Sequence, residues 1–137
     1  MHPGFPQPDL VAFCRRRGVL PVAYAPLGRP GLLDPGQRTW LEHAAVLAIA
    51  ARHGRSPAQV VLRWNVQRGV AVVPKSASEQ RLRENLRLAD FELDAEEMTT
   101  VSALHAAGGG GAGRCAGAGE RLLRLDCAFD GGGFSLK

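Results

Sequence analysis

The stretch from Val73 to Asn85 combines residue types and spacings that suit a phosphorylated ligand. Lys75 offers a full positive charge and Ser76 a hydroxyl, both at the end of an apolar run, Val70 to Pro74, that reads as a short buried strand. Ser78 can cap a helix that the pattern carries to about Leu88. A helix start presents backbone N–H groups and the positive end of the dipole, so an anion is favoured there. Arg81, Glu84 and Asn85 are spaced i, i+3, i+4 and share one face of this helix, while Leu82 and Leu86 share an adjacent face that can bury. One face can then meet a ligand while its neighbour packs.

A second ligand-like cluster, Tyr24-Ala25-Pro26-Leu27-Gly28, closes an earlier apolar run, Val19 to Ala25. That run is short and bounded by Gly18 and Pro26, so it reads as another buried strand, although Pro21 suits a strand edge or start. Helices are expected around both strands. Residues 7–17 place Leu10, Val11, Phe13 and Cys14 on an apolar side, with Arg15 to Arg17 near the end and Gly18 as the stop. Residues 26–40 read as a Gly/Pro-rich loop and 42–53 as a helix with Ala45, Val46, Ile49 and Ala50 at helical spacing. Ser56, Pro57 and Gln59 form a capping box for a helix to about Arg68, with Val61, Leu62 and Trp64 apolar. Asp94 and Glu97 form another, opening a helix to about Leu104.

The order strand–helix–helix–strand–helix predicts a parallel, right-handed crossover unit. In (β/α)8 barrels the loops after strands 7 and 8 commonly build a phosphate site with a helix N-terminus, and the two clusters fit that placement. A whole barrel usually needs about 250 residues. The chain has 137, which suits one domain.

The net charge of +4 rests on 15 arginines and 2 lysines, many on amphipathic helices. No aromatic stripe accompanies them, so a solvated face is preferred over a nucleic-acid surface. The three cysteines, Cys14, Cys115 and Cys127, are odd in number and form no CxxC pair, which with no signal peptide points to a reducing, cytoplasmic location. No apolar run is long enough for a bilayer, and His2, His43, His53 and His105 lack metal-ligand spacing, so neither membrane nor metal is expected. Residues 108–137 hold ten glycines and little helical period, so 105–137 is expected to be a disordered, low-complexity Gly/Arg-rich tail.

From His2 to about Leu104 the chain resembles the C-terminal third of an aldo-keto reductase, close to the aldehyde and aldose reductase group. The matching runs include His2-Pro3, Ala23 to Gly28, Ser56 to Val60, Leu62-Arg-Trp64, Val66 to Arg68, Pro74-Lys-Ser76, Arg81, Glu84-Asn85, Asp90 to Leu93 and Glu97-Met98. A lone Pro-Lys-Ser would be weak; this set in register is specific. The resemblance implies an α/β fold, a partial (β/α)8 TIM barrel covering about strands 7 and 8 with their helices in residues 1–104. It implies an oxidoreductase ancestry with NADP(H) as cofactor and a carbonyl substrate only in the intact family member. By the same resemblance Tyr24 would stack on the nicotinamide. The backbone of Ala25, Pro26 and Leu27 would track the pyrophosphate. Lys75, Ser76 and Arg81 would hold the 2′-phosphate, Arg81 could stack on the adenine, and Glu84 and Asn85 would meet its edge.

The chain also departs from the family pattern. Ala25 stands where the family has Ser, and Arg29 to Asp34 replaces the Gly-Ser-x-Asp loop. The family's catalytic Asp, Tyr, Lys and His lie upstream of the His-Pro motif at which this chain begins, so no catalytic residue is assigned. The chain is expected to be inactive alone, a non-catalytic nucleotide-binding or regulatory fragment being the alternative. The abrupt start and the Gly/Arg tail lead us to expect a truncated gene model or an alternative transcript.

Overall fold

The computed structural model describes residues 1–28 and 39–106. The expected tail from residue 107, and most of the expected loop 26–40, lie outside the described residues. Five helices and two strands follow in order: α1 Pro8–Arg16, β1 Val22–Tyr24, α2 Ala44–His53, α3 Pro57–Gln67, β2 Ala71–Val73, α4 Glu79–Leu86 and α5 Ala95–Ala103. A single 3-10 turn, Trp40–Glu42, precedes α2.

The two strands pair in parallel, with Val22 opposite Ala71, Ala23 opposite Val72 and Tyr24 opposite Val73. Each is shorter than the apolar run suggests. Pro21 has no N–H to give the ladder, but its carbonyl accepts from Ala71 N at 2.9 Å just before β1 begins. Ala23 is fully buried, whereas Val19, Leu20, Val22, Tyr24 and Val73 are exposed. The expectation of two buried strands is therefore corrected. Only one face of this sheet is covered among the described residues, by α1 through Val11 in a small cluster with Ala23 and Val70.

The main core lies between helices. Val46, Ile49 and Ala50 of α2 meet Val60, Val61 and Trp64 of α3 and Val101 of α5, with Trp40, Leu93 and Leu104 closing the ends. Local chemistry fixes the helix starts. Ser56 Oγ accepts from Gln59 N at 3.3 Å while Gln59 Oε1 accepts from Ser56 N at 3.0 Å. Asp94 and Glu97 make the same reciprocal pair at 2.8 and 3.0 Å. Each such cap is worth about 1 kcal/mol. Glu97 is also buried and paired with His53 Nε2 at 2.8 Å and Arg52 at 3.1 Å, which ties α5 to the end of α2.

The helix starting at Ala44 is shorter than the 42–53 expected, because His43 takes extended backbone and its Nδ1 accepts from Ala45 N. In α1 only Val11 is buried; Leu10 and Phe13 are exposed, so the apolar side is narrower than the sequence implies. The largest departure is α4, which buries no residue. Leu82 is 45% and Leu86 is 85% exposed, so the adjacent face does not pack as expected. Their apolar character faces no core element among the described residues.

What holds α4 and the connector after it is a polar ladder on α3. Gln59, Arg63 and Gln67 recur every fourth residue, so they share one helix face. Gln59 Nε2 donates to the carbonyls of Glu84 and Arg87 at 3.1 and 3.0 Å. Arg63 donates to the Leu88 carbonyl at 2.9 Å and pairs with Glu92 at 3.0 Å. Gln67 exchanges two hydrogen bonds with the Leu93 backbone at 2.9 and 2.8 Å.

Candidate functional site

Parallel pairing brings the carboxyl ends of β1 and β2 side by side. The chain then turns away from each end, through Ala25 to Gly28 after β1 and Pro74 to Ser78 after β2. Ligands of open parallel sheets bind outside such ends. Here the two turns open onto a groove of about 690 Å3. That size lies within the ordinary range of small-molecule sites.

All nine residues singled out from the sequence line this one groove: Tyr24, Ala25, Pro26, Leu27, Lys75, Ser76, Arg81, Glu84 and Asn85. Ser76 and Glu84 also have partners within the chain. Ser76 Oγ accepts from Ser78 N at 3.1 Å and faces the Ser78 carbonyl at 3.3 Å, so its hydroxyl first builds the turn that starts α4. Ser78 Oγ accepts from Arg81 N at 3.4 Å, as its capping role requires. Glu84 accepts from Gln80 at 2.9 Å on the same helix. The cations Lys75 and Arg81 are both exposed.

Ala25 holds a φ of 51°, in the left-handed region that resists a Cβ by about 1 kcal/mol. Its carbonyl accepts from Gly28 N at 3.0 Å, which closes the turn beneath Pro26 and Leu27. Among the described non-glycine residues, one left-handed position thus lies in the groove-lining backbone and the other, Gln7, at the start of α1.

The groove has a wall that the sequence reading missed. Ser56, Pro57 and Ala58, the first turn of α3, line it together with Leu41. By sequence Ser56 is a cap and part of a family-like run, with no groove role. The topology carried a usable signal, because a helix between parallel strands runs back against them. It therefore begins on the side where the strands end.

His2, the first residue of the His-Pro motif, plays a local part. Its Nδ1 accepts from Gly4 N at 3.2 Å, and its ring stacks on Trp40 at 5.9 Å between centroids. Burial, and then the Met1 ammonium, push its pKa down to about 4. Among the described residues, no group of three or more His, Cys, Asp or Glu is placed to hold a metal, and no helix is long and apolar enough to cross a membrane.

The donor set suits a phosphorylated nucleotide. Two exposed cations and a capped helix start can meet phosphate, Glu84 and Asn85 can meet a base edge, and Tyr24 offers an aromatic face. Parallel strands whose carboxyl ends share a groove are the arrangement seen in α/β barrels and sheets. The model of the aldo/keto reductase family matches residues 1–106, and the chain belongs to that family. The fold of that family is the (β/α)8 barrel, and the parallel pair β1–β2 is consistent with a part of it.

Over 106 residues the chain is 43% identical to aldo-keto reductase family 1 member A1 of Homo sapiens and, equally, of Bos taurus; each match covers 76% of this chain and 33% of the relative. The protein of the same name from Gallus gallus is 40% identical over 106 residues. The chain spans about a third of the length of these curated relatives.

Proposed function

We propose that residues 1–104 are the NADP(H)-binding part of an aldo-keto reductase barrel, with β1 and β2 as its seventh and eighth strands. One observation carries this reading: both residue clusters, from Tyr24 to Gly28 and from Val73 to Asn85, line a single groove at the carboxyl ends of paired strands although they are far apart in the chain. Lys75 and Arg81 would bind the 2′-phosphate, with the start of α4 beside them. Ser76 would hold the turn and could redirect its one proton from the Ser78 carbonyl to a phosphate oxygen. Glu84 and Asn85 would orient the adenine, Ala25 to Leu27 the pyrophosphate, and Tyr24 the nicotinamide. When bound, the cofactor would supply hydride for reducing an aldehyde or ketone in the intact family member.

A non-catalytic nucleotide-binding role is the second reading. It is favoured by one feature: among the described residues Tyr24 and Lys75 are the only tyrosine and lysine, and both line the nucleotide groove. No separate tyrosine–lysine pair is left there to deliver a proton to a carbonyl oxygen.

Thermal unfolding with and without NADPH tests the proposal. A ligand at about 100 times its Kd stabilises the folded state by about 2.7 kcal/mol, which is about 10 °C or more for a domain of this size. NADPH should raise Tm and NADH should raise it much less. Arg81→Ala or Lys75→Ala should weaken NADPH binding about 10- to 100-fold, the loss expected for a hydrogen bond to a charged group. Equal shifts by both nucleotides would reject the 2′-phosphate assignment. Carbonyl reduction by the purified chain would reject the non-catalytic reading.

A further inference from the structure

The first turn of α3 and the last turns of α4 form two walls of the groove, and one buried side chain joins them. Gln59 is 4% exposed and does not itself line the groove. Its Oε1 accepts from Ser56 N at 3.0 Å, fixing the end of α3 that carries Ser56, Pro57 and Ala58. Its Nε2 donates to the carbonyls of Glu84 and Arg87 at 3.1 and 3.0 Å, closing the end of α4 that carries Glu84 and Asn85.

Apolar packing does not fix α4, since none of its residues is buried. Its side-chain pairs, Gln80 with Glu84 and Arg83 with Glu79, join residues of the same helix and cannot place it. The two bonds from Gln59 cross between elements and reach backbone atoms, so they constrain the helix itself. A capping amide is thereby also a spacer between the walls.

We propose that Gln59 is a positioning residue for the nucleotide groove. It sets the separation of α3 and α4, and with it the placement of Arg81, Glu84 and Asn85 against a 2′-phosphorylated adenosine. This rests on the NADP(H) reading above.

Two substitutions in the full chain test it. Gln59→Glu keeps the acceptor for Ser56 N but puts a carboxylate oxygen opposite two carbonyl oxygens. Gln59→Met keeps the length without charge or donor. In both, affinity for NADPH should fall about tenfold and affinity for NADH by less, because both lose adenine placement but only NADPH also loses the contact of Arg81 with the 2′-phosphate, so the preference between the two shrinks. In an Arg81→Ala background the same substitutions should cost NADPH no more than they cost NADH, because only the placement of Glu84 and Asn85 is then left to lose.

An equal loss for both nucleotides overturns the inference, as does full additivity with Arg81→Ala. Unfolding of both variants also overturns it, since Gln59 would then serve general stability. A wild-type chain that binds NADPH, with variants of unchanged preference, overturns this inference alone. A wild-type chain that binds no NADPH overturns the cofactor reading and this inference together.

Discussion

At residues 2–4 a single turn concentrates several constraints. Gly4 lies against Trp40, so closely that an added Cβ would stand 2.0 Å from an indole ring carbon. Gly4→Ala must therefore displace the indole, and overpacking of this kind costs about 1–3 kcal/mol. Urea unfolding should show that loss, whereas Gly18→Ala meets no neighbouring atom and pays only for its φ of 68°. His2 adds a pH dependence. Its folded pKa of about 4 lies below the ordinary 6.5, so the unfolded chain takes up the proton first as pH falls. Stability should be complete above about pH 6.5, fall between 6.5 and 4, and not fall further below 4 from this group. Protonation would also set an N–H against the Gly4 N–H that Nδ1 now accepts from. His2→Asn can keep that acceptor without titrating, so Tm should become flatter with pH over this window.

Among the helices, the caps were the most legible features because their chemistry is local. Ser56 with Gln59, Ser78 alone, and Asp94 with Glu97 all cap where their spacing indicates. The second partners of the same side chains were not legible. Glu97 meets His53 across 44 positions and Gln59 meets Glu84 across 25, and no short-range pattern encodes such pairings. The burial of Leu82 and Leu86 failed for a related reason: periodicity defines an apolar face but not what lies opposite it. The groove residues were legible from their places at two strand ends and on one face of a helix's first turns, the resemblance adding only the roles expected of them, while the α3 wall needed the topology. Glu97 allows a test of magnitude. Glu97→Ala removes a cap and leaves His53 without its buried partner, so a loss of about 2 kcal/mol is expected. Glu79→Ala breaks the pair with Arg83, but both side chains are over two-thirds exposed, so less than about 1 kcal/mol should be lost. Chemical denaturation of the two variants separates these cases.

For the molecule as a whole, the core and the groove lie on different supports. The apolar core is helical, between α2, α3 and α5, whereas the groove rests on a parallel sheet that, among the described residues, has two strands and one exposed face. Parallel sheets are ordinarily covered on both faces, and exposed edges invite association. Self-association that rises with concentration is therefore expected in sedimentation. Leu20→Lys with Val22→Thr should reduce it without lowering Tm, since both residues are more than half exposed.

The ladder of Gln59, Arg63 and Gln67 also governs which lengths of chain this fold tolerates. Its three anchors stay in phase only because they share one helical frame. An added residue inside α3 turns everything beyond it by about 100°. Placed between Gln59 and Arg63, it would swing two anchors off the 88–93 backbone, whose Leu88 and Leu93 carbonyls have side chains for partners. Placed in that irregular connector, the same insertion would only lengthen a curve. Gains and losses of residues should therefore be rejected in the helix and accepted in the loop it grips.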